Sequence, residues 1–285
     1  VPPNSFIASA AAVATIGAVP VFADVRDDLN MDPEKVEDAI TPRTKAIMPV
    51  HLTGRIADMT PLSDMAESNG LLVIEDASQS FGSRYKDQLA GSFGNVGCFS
   101  AHPLKNFNAA GDSGFLTTDD GDLAARVAKM RNHGLVGKGL SEALGHVSRM
   151  DTLQAAILRY KLEVLPGVIE RRRGNAALYG ELLDPAHVFI APERDVEFNT
   201  YHTFVIQVDR RDELKAHLAE HQIGSAIHYP APLHLQPAAS HLGHKVGDFS
   251  VAERQAGRIL SMPVHQNLAE DDVRRVADAV NGFFG

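Results

Sequence analysis

Blocks of apolar and polar residues predict a βαβ order in the first half of the chain. Apolar runs without alternation at 46–51 and 71–74 have the length of buried strands, and the segment 59–69 between them has a helical pattern. Such runs are typical of strands covered on both faces, as in a parallel sheet packed between helices. The pattern therefore predicts an α/β protein, whose ligands would bind beyond the carboxyl ends of the strands.

Further elements flank this unit. We predict a helix over 5–16, closed by Gly17, and a short strand over 20–23. After the βαβ unit, the pattern predicts strands at 97–100 and 114–118 and a helix at 122–132.

The second half of the chain begins with a long amphipathic pattern over 150–183. Pro166 and Gly167 predict a bend in this segment and the start of a second unit. We therefore expect a large domain, residues 1–165, and a smaller α+β domain, residues 166–285. Within the smaller domain the pattern predicts a strand at 201–208, a helix at 211–221, a strand or loop edge at 223–229, and helices at 251–259 and 270–283.

Composition and charge narrow the class of partner. The 285 residues are 44% hydrophobic and 22% charged, as in folded globular proteins, and 36 acidic against 27 basic residues give a net charge of −9. This charge disfavours nucleic acid and anionic membrane surfaces as partners. Cys98 is the only cysteine, which excludes an internal disulfide and fits a reducing compartment, so we expect a cytoplasmic protein.

The first 23 residues carry no charge, which raises the alternatives of a signal peptide or a membrane span. No basic flank precedes them, and Pro2, Pro3 and Pro20 interrupt the apolar run, so a buried helix is the favoured interpretation. The chain begins at Val1, in what resembles the end of a strand. We expect an N-terminal segment to be missing.

Two reactive side chains follow predicted strands directly. Asp76 comes after the strand at 71–74, and Lys105 lies in the loop after the strand at 97–100. A lysine and an aspartate so placed suit pyridoxal phosphate, whose aldehyde forms a Schiff base with lysine and whose ring nitrogen needs a carboxylate to stay protonated. An aspartate after a strand can equally be a helix cap, and a loop lysine can simply be solvated.

Nine sequence blocks, in order along the whole chain, carry a resemblance to a known family. The chain resembles the DegT/DnrJ/EryC1/StrS family of pyridoxal-phosphate-dependent sugar-nucleotide aminotransferases, which have the aspartate aminotransferase (type I) fold. The blocks are PPNSFIASAAAV, GAVPVFADV, ITPRTKAIMPVHLTG, VIEDASQSFGSRYK, GSFGNVGCFSAHPLKN, RNHGL, SRMDTLQAAIL, GSAIHYPAPLHLQP and LSMPVHQNL.

The resemblance implies a role for each matching residue. Lys105 would form the Schiff base and later move the proton between substrate and cofactor carbons, and Asp76 would pair with the pyridine nitrogen. Gln79 would lie near the phenolic oxygen of the ring, Ser100 would bind the phosphate, and Phe6 would stack on the ring. Without the resemblance, Phe6 would be interpreted as an ordinary core residue.

The resemblance also implies the reaction and the partners. We expect an amino acid, with glutamate as the favoured donor, to transfer its amino group through the cofactor to a keto group of a nucleotide-linked deoxysugar. His228 and Tyr229 match a block near the substrate, although alone they would be interpreted as loop residues that pack a domain junction. A homodimer is expected, because active sites of this family lie across the subunit boundary; at one position that usually reaches the partner's phosphate site, this chain has Val147 in place of asparagine.

Two alternatives stay open at this point. Another pyridoxal-phosphate reaction, such as sugar dehydration or a lyase reaction, could use the same scaffold, although the dehydratases carry histidine where this chain has Lys105. The protein could also be a non-catalytic regulatory relative. No metal site is predicted, because His217 and His221 have the spacing of two zinc ligands but lack a third.

Overall fold

A computed structural model describes all residues, 1–285. The eight α-helices are α1 (Ile7–Thr15), α2 (Pro33–Ala39), α3 (Met59–Ser68), α4 (Gly121–Met130), α5 (Thr152–Leu182), α6 (Arg211–Glu220), α7 (Ser250–Ala256) and α8 (Glu270–Phe284). The ten strands are β1 (Ala46–Ile47), β2 (Leu72–Asp76), β3 (Arg84–Tyr85), β4 (Gln88–Leu89), β5 (Val96–Ser100), β6 (Gly114–Thr117), β7 (Val188–Phe189), β8 (Glu197–Phe198), β9 (Phe204–Val208) and β10 (Ile259–Met262).

The sheet that carries the candidate site has the order β1-β2-β5-β6. Its first three strands are parallel, and β6 pairs antiparallel with β5. The mostly parallel sheet and the α3 crossover between β1 and β2 agree with the pattern of the sequence. Apolar side chains of α3, β2 and β5 pack together on this sheet, among them Met59, Leu62, Val73 and Phe99.

Strand β1 is shorter than the apolar run that predicts it. Its pairing with β2 is interrupted after Ile47 and resumes at Val50, which pairs with Asp76 in the same parallel register. Pro49 lies in the interruption and has no N–H to donate to a neighbouring strand, although its carbonyl accepts from the Asp76 N–H at 2.9 Å. The prediction of a strand here is therefore right in position but too long.

Helix α5 is a single 31-residue helix that continues through Pro166. Leu158, Leu165 and Ile169 pack in one core with the loop after β5, whereas Ala176 and Tyr179 pack in the C-terminal core. The expected boundary between residues 1–165 and 166–285 falls inside this helix, and the division into two domains stays a prediction.

The C-terminal part builds on a second sheet of order β10-β9-β7, entirely antiparallel. Helix α8 buries Val273, Val276, Ala277 and Val280, which have the spacing of one helix face, against this sheet and α6. This part of the chain is α+β, as expected.

Two predicted strands are not formed. Residues 20–23 are extended but pair only with Val1, whose amine donates to the Val21 carbonyl at 3.0 Å. In 223–229 only Ala226 pairs, in an isolated bridge with Ser261, so the loop-edge alternative is the right one. No helix has both the length and the apolar run needed to cross a bilayer.

Candidate active site

Asp76 is the last residue of β2, at the carboxyl end of a central parallel strand. Its carboxylate accepts two hydrogen bonds, from the Ser9 hydroxyl to Oδ2 at 2.6 Å and from the Ser78 N–H to Oδ1 at 3.1 Å. The sheet and α1 therefore fix the position of this carboxylate, as the α/β topology predicts for a ligand-binding group.

Gln79 lies three residues further on and is buried. Its Oε1 accepts from the Thr53 N–H at 2.8 Å, and its Nε2 donates to the Tyr229 hydroxyl at 3.4 Å. The Tyr229 ring lies 5.5 Å from the ring of Phe6, between centroids. The structure thus brings Phe6, Gln79 and Tyr229 together, although they come from distant parts of the chain.

Lys105 lies in the loop that follows β5, and it is half-buried. Burial lowers the pKa of its amine, and the negative charge of Asp76 opposes that shift. The amine and the carboxylate are therefore close enough for their charges to interact. A lysine that loses its proton more readily is the form that a carbonyl-binding site requires.

Ser100 is the last residue of β5, where the strand enters the same loop. Its Oγ accepts from the His102 N–H at 3.3 Å, which leaves the hydroxyl proton free to donate to a ligand. The hydroxyl therefore lies where β5 ends and the loop that carries Lys105 begins.

Three further groups line the space around Lys105. Burial, followed by the positive charges of Lys105, Arg172 and His228, lowers the pKa of His202 well below its usual range. Burial and Lys105 also lower the pKa of His228, whose Nδ1 lies 2.9 Å from Ser261 Oγ. Burial and then Asp76 raise the pKa of Tyr229, against the hydrogen bond from Gln79. These imidazoles and this phenol are thus biased to their neutral forms.

Sequence reasoning missed Ser9 and His202. Ser9 is a small polar residue within an alanine-rich helix, and His202 comes two residues before β9, so neither has a spacing that signals chemistry. His202 is held by Asn106, whose Oδ1 lies 3.4 Å from its Nδ1 and whose amide nitrogen donates to the Thr200 carbonyl at 3.0 Å. The only signal in the sequence that could have led to His202 is that its partner Asn106 directly follows Lys105.

These side chains fit pyridoxal phosphate by their chemistry. The amine of Lys105, the carboxylate of Asp76, the amide of Gln79 and the hydroxyl of Ser100 match the aldehyde, ring nitrogen, phenolic oxygen and phosphate. Phe6 is 54% exposed at the start of α1, so the interpretation as a core residue is wrong and its ring is free to stack on a flat ligand.

Two other groups of side chains, the His217–His221 pair and the arginine run of α5, make contacts away from this site. His217 and His221 stack on each other at 4.3 Å between ring centroids, and His221 Nδ1 bonds to the His217 carbonyl. In the arginine run of α5, Arg172 donates to the Tyr201 and His202 carbonyls, and Arg173 donates to Glu193. These two arginines thus tie α5 to the 193–202 segment.

A comparison with family models decides the family. The model of the DegT/DnrJ/EryC1/StrS aminotransferase family matches residues 1–281. The chain belongs to this family. The expected membership is confirmed, and with it the assignment as an aminotransferase.

Curated relatives match this chain over nearly its full length. It is 42% identical over 282 residues to the UDP-N-acetyl-3-dehydro-alpha-D-glucosamine 3-aminotransferase of Acidithiobacillus ferrooxidans. It is 40% identical over 284 residues to a protein of Geobacillus stearothermophilus named "Pleiotropic regulatory protein". In both cases the match covers 98% of this chain and 76% of the relative.

Solved structures confirm the type I fold. The structure of DesV of Streptomyces venezuelae, in complex with a ketimine intermediate, superposes with a TM-score of 0.96 at 39% identity, covering 99% of this chain and 77% of DesV. The structural relatives of this aminotransferase are pyridoxal-phosphate-dependent sugar aminotransferases.

Proposed function

We propose that the protein binds pyridoxal phosphate and transfers the amino group of an amino acid, glutamate being the expected donor, to a keto group of a nucleotide-linked deoxysugar. The observation that carries this proposal is the placement of Lys105 and Asp76: the amine lies in the loop after β5, and the carboxylate ends the neighbouring parallel strand β2, close enough for their charges to interact. Relatives named as nucleotide-sugar aminotransferases support the substrate class.

Each site residue then has one task toward the cofactor. Lys105 would hold it through its amine, Asp76 through the ring nitrogen, Gln79 through the phenolic oxygen and Ser100 through the phosphate, while Phe6 would stack on the ring. When bound, pyridoxal phosphate supplies an aldehyde that exchanges amines and a protonated ring that accepts electrons.

The chain itself supplies the proton transfers. Lys105 Nζ, whose pKa burial lowers, would in its neutral form take a proton from the substrate carbon and return it. Asp76, held by Ser9 and Ser78, would present its carboxylate to the ring nitrogen. His228 and Tyr229, next to Gln79 and Lys105, are placed to contact the sugar substrate through neutral donors and acceptors.

The assembly and location belong to the same proposal. We expect a homodimer, in which a second copy completes the site, and the segment with Leu140, Leu144 and Val147 exposes apolar side chains that a second subunit could cover. The single half-buried cysteine, Cys98, fits a reducing compartment, and we place the reaction in the cytoplasm.

Borohydride trapping tests the proposal directly. The protein is loaded with pyridoxal phosphate, reduced with borohydride and digested, and mass spectrometry should find the cofactor on the peptide that contains Lys105. Lys105→Ala should lose the visible band and slow the formation of 2-oxoglutarate from glutamate and keto sugar nucleotides about a thousandfold or more. Lys45→Ala, at an exposed lysine, is the matched control and should behave like the parent.

The same assay separates the rival functions. A dehydratase or lyase would label at Lys105 yet give a different product and no 2-oxoglutarate. The name of the Geobacillus relative makes a regulatory role a second candidate. A biological role that survives Lys105→Ala would contradict the catalytic proposal.

A further inference from the structure

Ser9 donates its hydroxyl proton to Oδ2 of Asp76 across 2.6 Å. Ser9 lies in α1 and is 4% exposed, and Asp76 ends β2, so this bond joins the first helix to the strand end at the active site. The site as described so far gives the bond no task beyond fixing a carboxylate.

The hydroxyl of Ser9 contacts a charge and not its own helix. A serine or threonine within a helix commonly bonds to a carbonyl one turn earlier, as Thr15 does to the Ala11 carbonyl at 2.8 Å. Ser9 is turned to Asp76 instead, at the short distance typical of a hydroxyl that donates to an ionised carboxylate. Such a bond stabilises the ionised carboxylate more than the protonated one.

The two donors on Asp76 act on different oxygens. Ser78 N–H donates to Oδ1 and Ser9 Oγ donates to Oδ2, so the plane of the carboxylate is fixed from two sides. Each carboxylate oxygen can accept a further hydrogen bond, which leaves room for a ring N–H.

Phe6 and Ser9 are three residues apart at the start of α1, so both side chains project from the same side of this segment. The Phe6 ring lies beside Tyr229, and the Ser9 hydroxyl lies on Asp76. One short segment thus supplies both the aromatic ring proposed to stack on the cofactor and the hydroxyl that bonds to Asp76.

We infer that Ser9 is a positioning residue of the active site, whose hydroxyl keeps Asp76 ionised and in a fixed plane against the ring nitrogen of the cofactor. The inference rests on the proposed function. Without the hydrogen bond from Ser9, the Asp76 carboxylate would bind the proton that it shares with the ring nitrogen more tightly. The ring nitrogen would then carry less positive charge.

A spectroscopic titration tests this role apart from activity. The pKa of the lysine-linked cofactor chromophore is measured from its visible absorbance in the parent, Ser9→Ala, Ser9→Thr and Thr15→Ala. Less positive charge on the ring lets the linked nitrogen keep its proton to higher pH, so Ser9→Ala should raise this pKa by about one pH unit. Ser9→Thr restores the hydroxyl and should titrate like the parent. Thr15→Ala removes a hydroxyl from the same helix away from the site and should also match the parent.

A second measurement reads the ring nitrogen itself. With cofactor labelled with ¹⁵N in the ring, the nitrogen resonance of Ser9→Ala should move toward that of an unprotonated pyridine, relative to the parent. Alanine is the best helix former, so the substitution keeps α1.

The outcomes are distinct. If Ser9→Ala titrates like the parent and its ¹⁵N resonance is unchanged, the inference is wrong and the bond is only a structural link between α1 and β2. If Ser9→Thr shifts as far as Ser9→Ala, the hydroxyl is not the cause and the inference also fails. If the parent forms no lysine-linked band at all, the proposed function fails, and this inference with it.

Discussion

Cys98 lies on β5, two residues before Ser100 and directly opposite Asp76 of the neighbouring strand β2. Burial, followed by the negative charges of Asp76 and Glu75, raises the pKa of its thiol to about 11. The thiolate is the reactive form of cysteine, so the only thiol of the chain is held in its inert state. The carboxylates near Cys98 therefore suppress its reactivity, and its position next to the site does not indicate a nucleophile.

This pKa predicts slow alkylation. At pH 8, Cys98 in the folded protein should react with iodoacetamide about a hundredfold more slowly than a free cysteine, and the rate should rise about tenfold per pH unit up to about pH 11. Mass spectrometry of the peptide at timed intervals measures the rate. The same protein unfolded in guanidinium chloride is the control and should react rapidly; a folded-state rate that levels off by pH 9 would contradict the prediction.

At the scale of elements, β2 carries two carboxylates with different tasks. Adjacent strand residues point to opposite faces, so Asp76 faces the site while Glu75 is completely buried. Glu75 accepts from the N–H groups of Gly91, Phe93 and Gly94 at 2.7 to 2.8 Å and lies 2.9 Å from His51 Nε2. Burial alone would raise its pKa, but the hydrogen bonds from His51 and the loop outweigh burial and lower it.

The glutamate therefore fixes the loop 91–94 against β2. Glu75→Gln replaces one accepting oxygen with an amide that donates, and it leaves buried N–H groups without an acceptor. We expect the free energy of unfolding to fall by about 2–4 kcal/mol. Urea denaturation followed by circular dichroism measures it, with Glu37→Gln at an exposed position of α2 as the matched control. An unchanged midpoint for Glu75→Gln would show that the loop does not need the carboxylate.

The long periodic helices and the buried strands β5 and β6 could be predicted from the sequence, but the strand at 20–23 could not. The pattern placed α6 at 211–221 and α8 at 270–283, each within one residue of the structure, because one apolar face repeats over several turns. The strand expected at 20–23 fails because an apolar tetrapeptide has no period, and its hydrogen-bond partner is Val1 alone.

The candidate site followed the same division. Lys105 and Asp76 were found because each directly follows a predicted strand, and Phe6, Gln79 and Ser100 because sequence blocks matched a family. Ser9 and His202 contact the site only through tertiary packing, which brings together residues 67 positions apart in the case of Ser9 and Asp76. No local pattern records such a contact.

At the scale of the whole molecule, Arg55 links the two halves of the chain. Its guanidinium donates to the carbonyls of Ala191 and Pro192, both at 2.9 Å, and lies within 4 Å of Asp28 and Glu197. Arg55 is only 6% exposed and lies between the N-terminal loops and the 191–197 segment. The charge is thus matched on both sides of the junction.

Removing this cation should weaken the junction. Arg55→Met keeps much of the side-chain volume but leaves two backbone carbonyls without their donor and removes the cation that lies between two carboxylates. We therefore expect the free energy of unfolding to fall by about 3 kcal/mol. Thermal unfolding by calorimetry measures the loss, and Arg43→Met at an exposed position is the control. Equal stabilities of the two variants would show that the junction does not depend on Arg55.

Helix α5 limits how the two halves can move. Its 31 residues span about 46 Å, and the same continuous rod contributes side chains to both the N-terminal and the C-terminal cores. A hinge rotation between the halves would therefore have to bend this helix. For chimaeras between relatives, the natural crossover point is then Leu183, just past the rod, since a junction at Pro166 would split it between two parents.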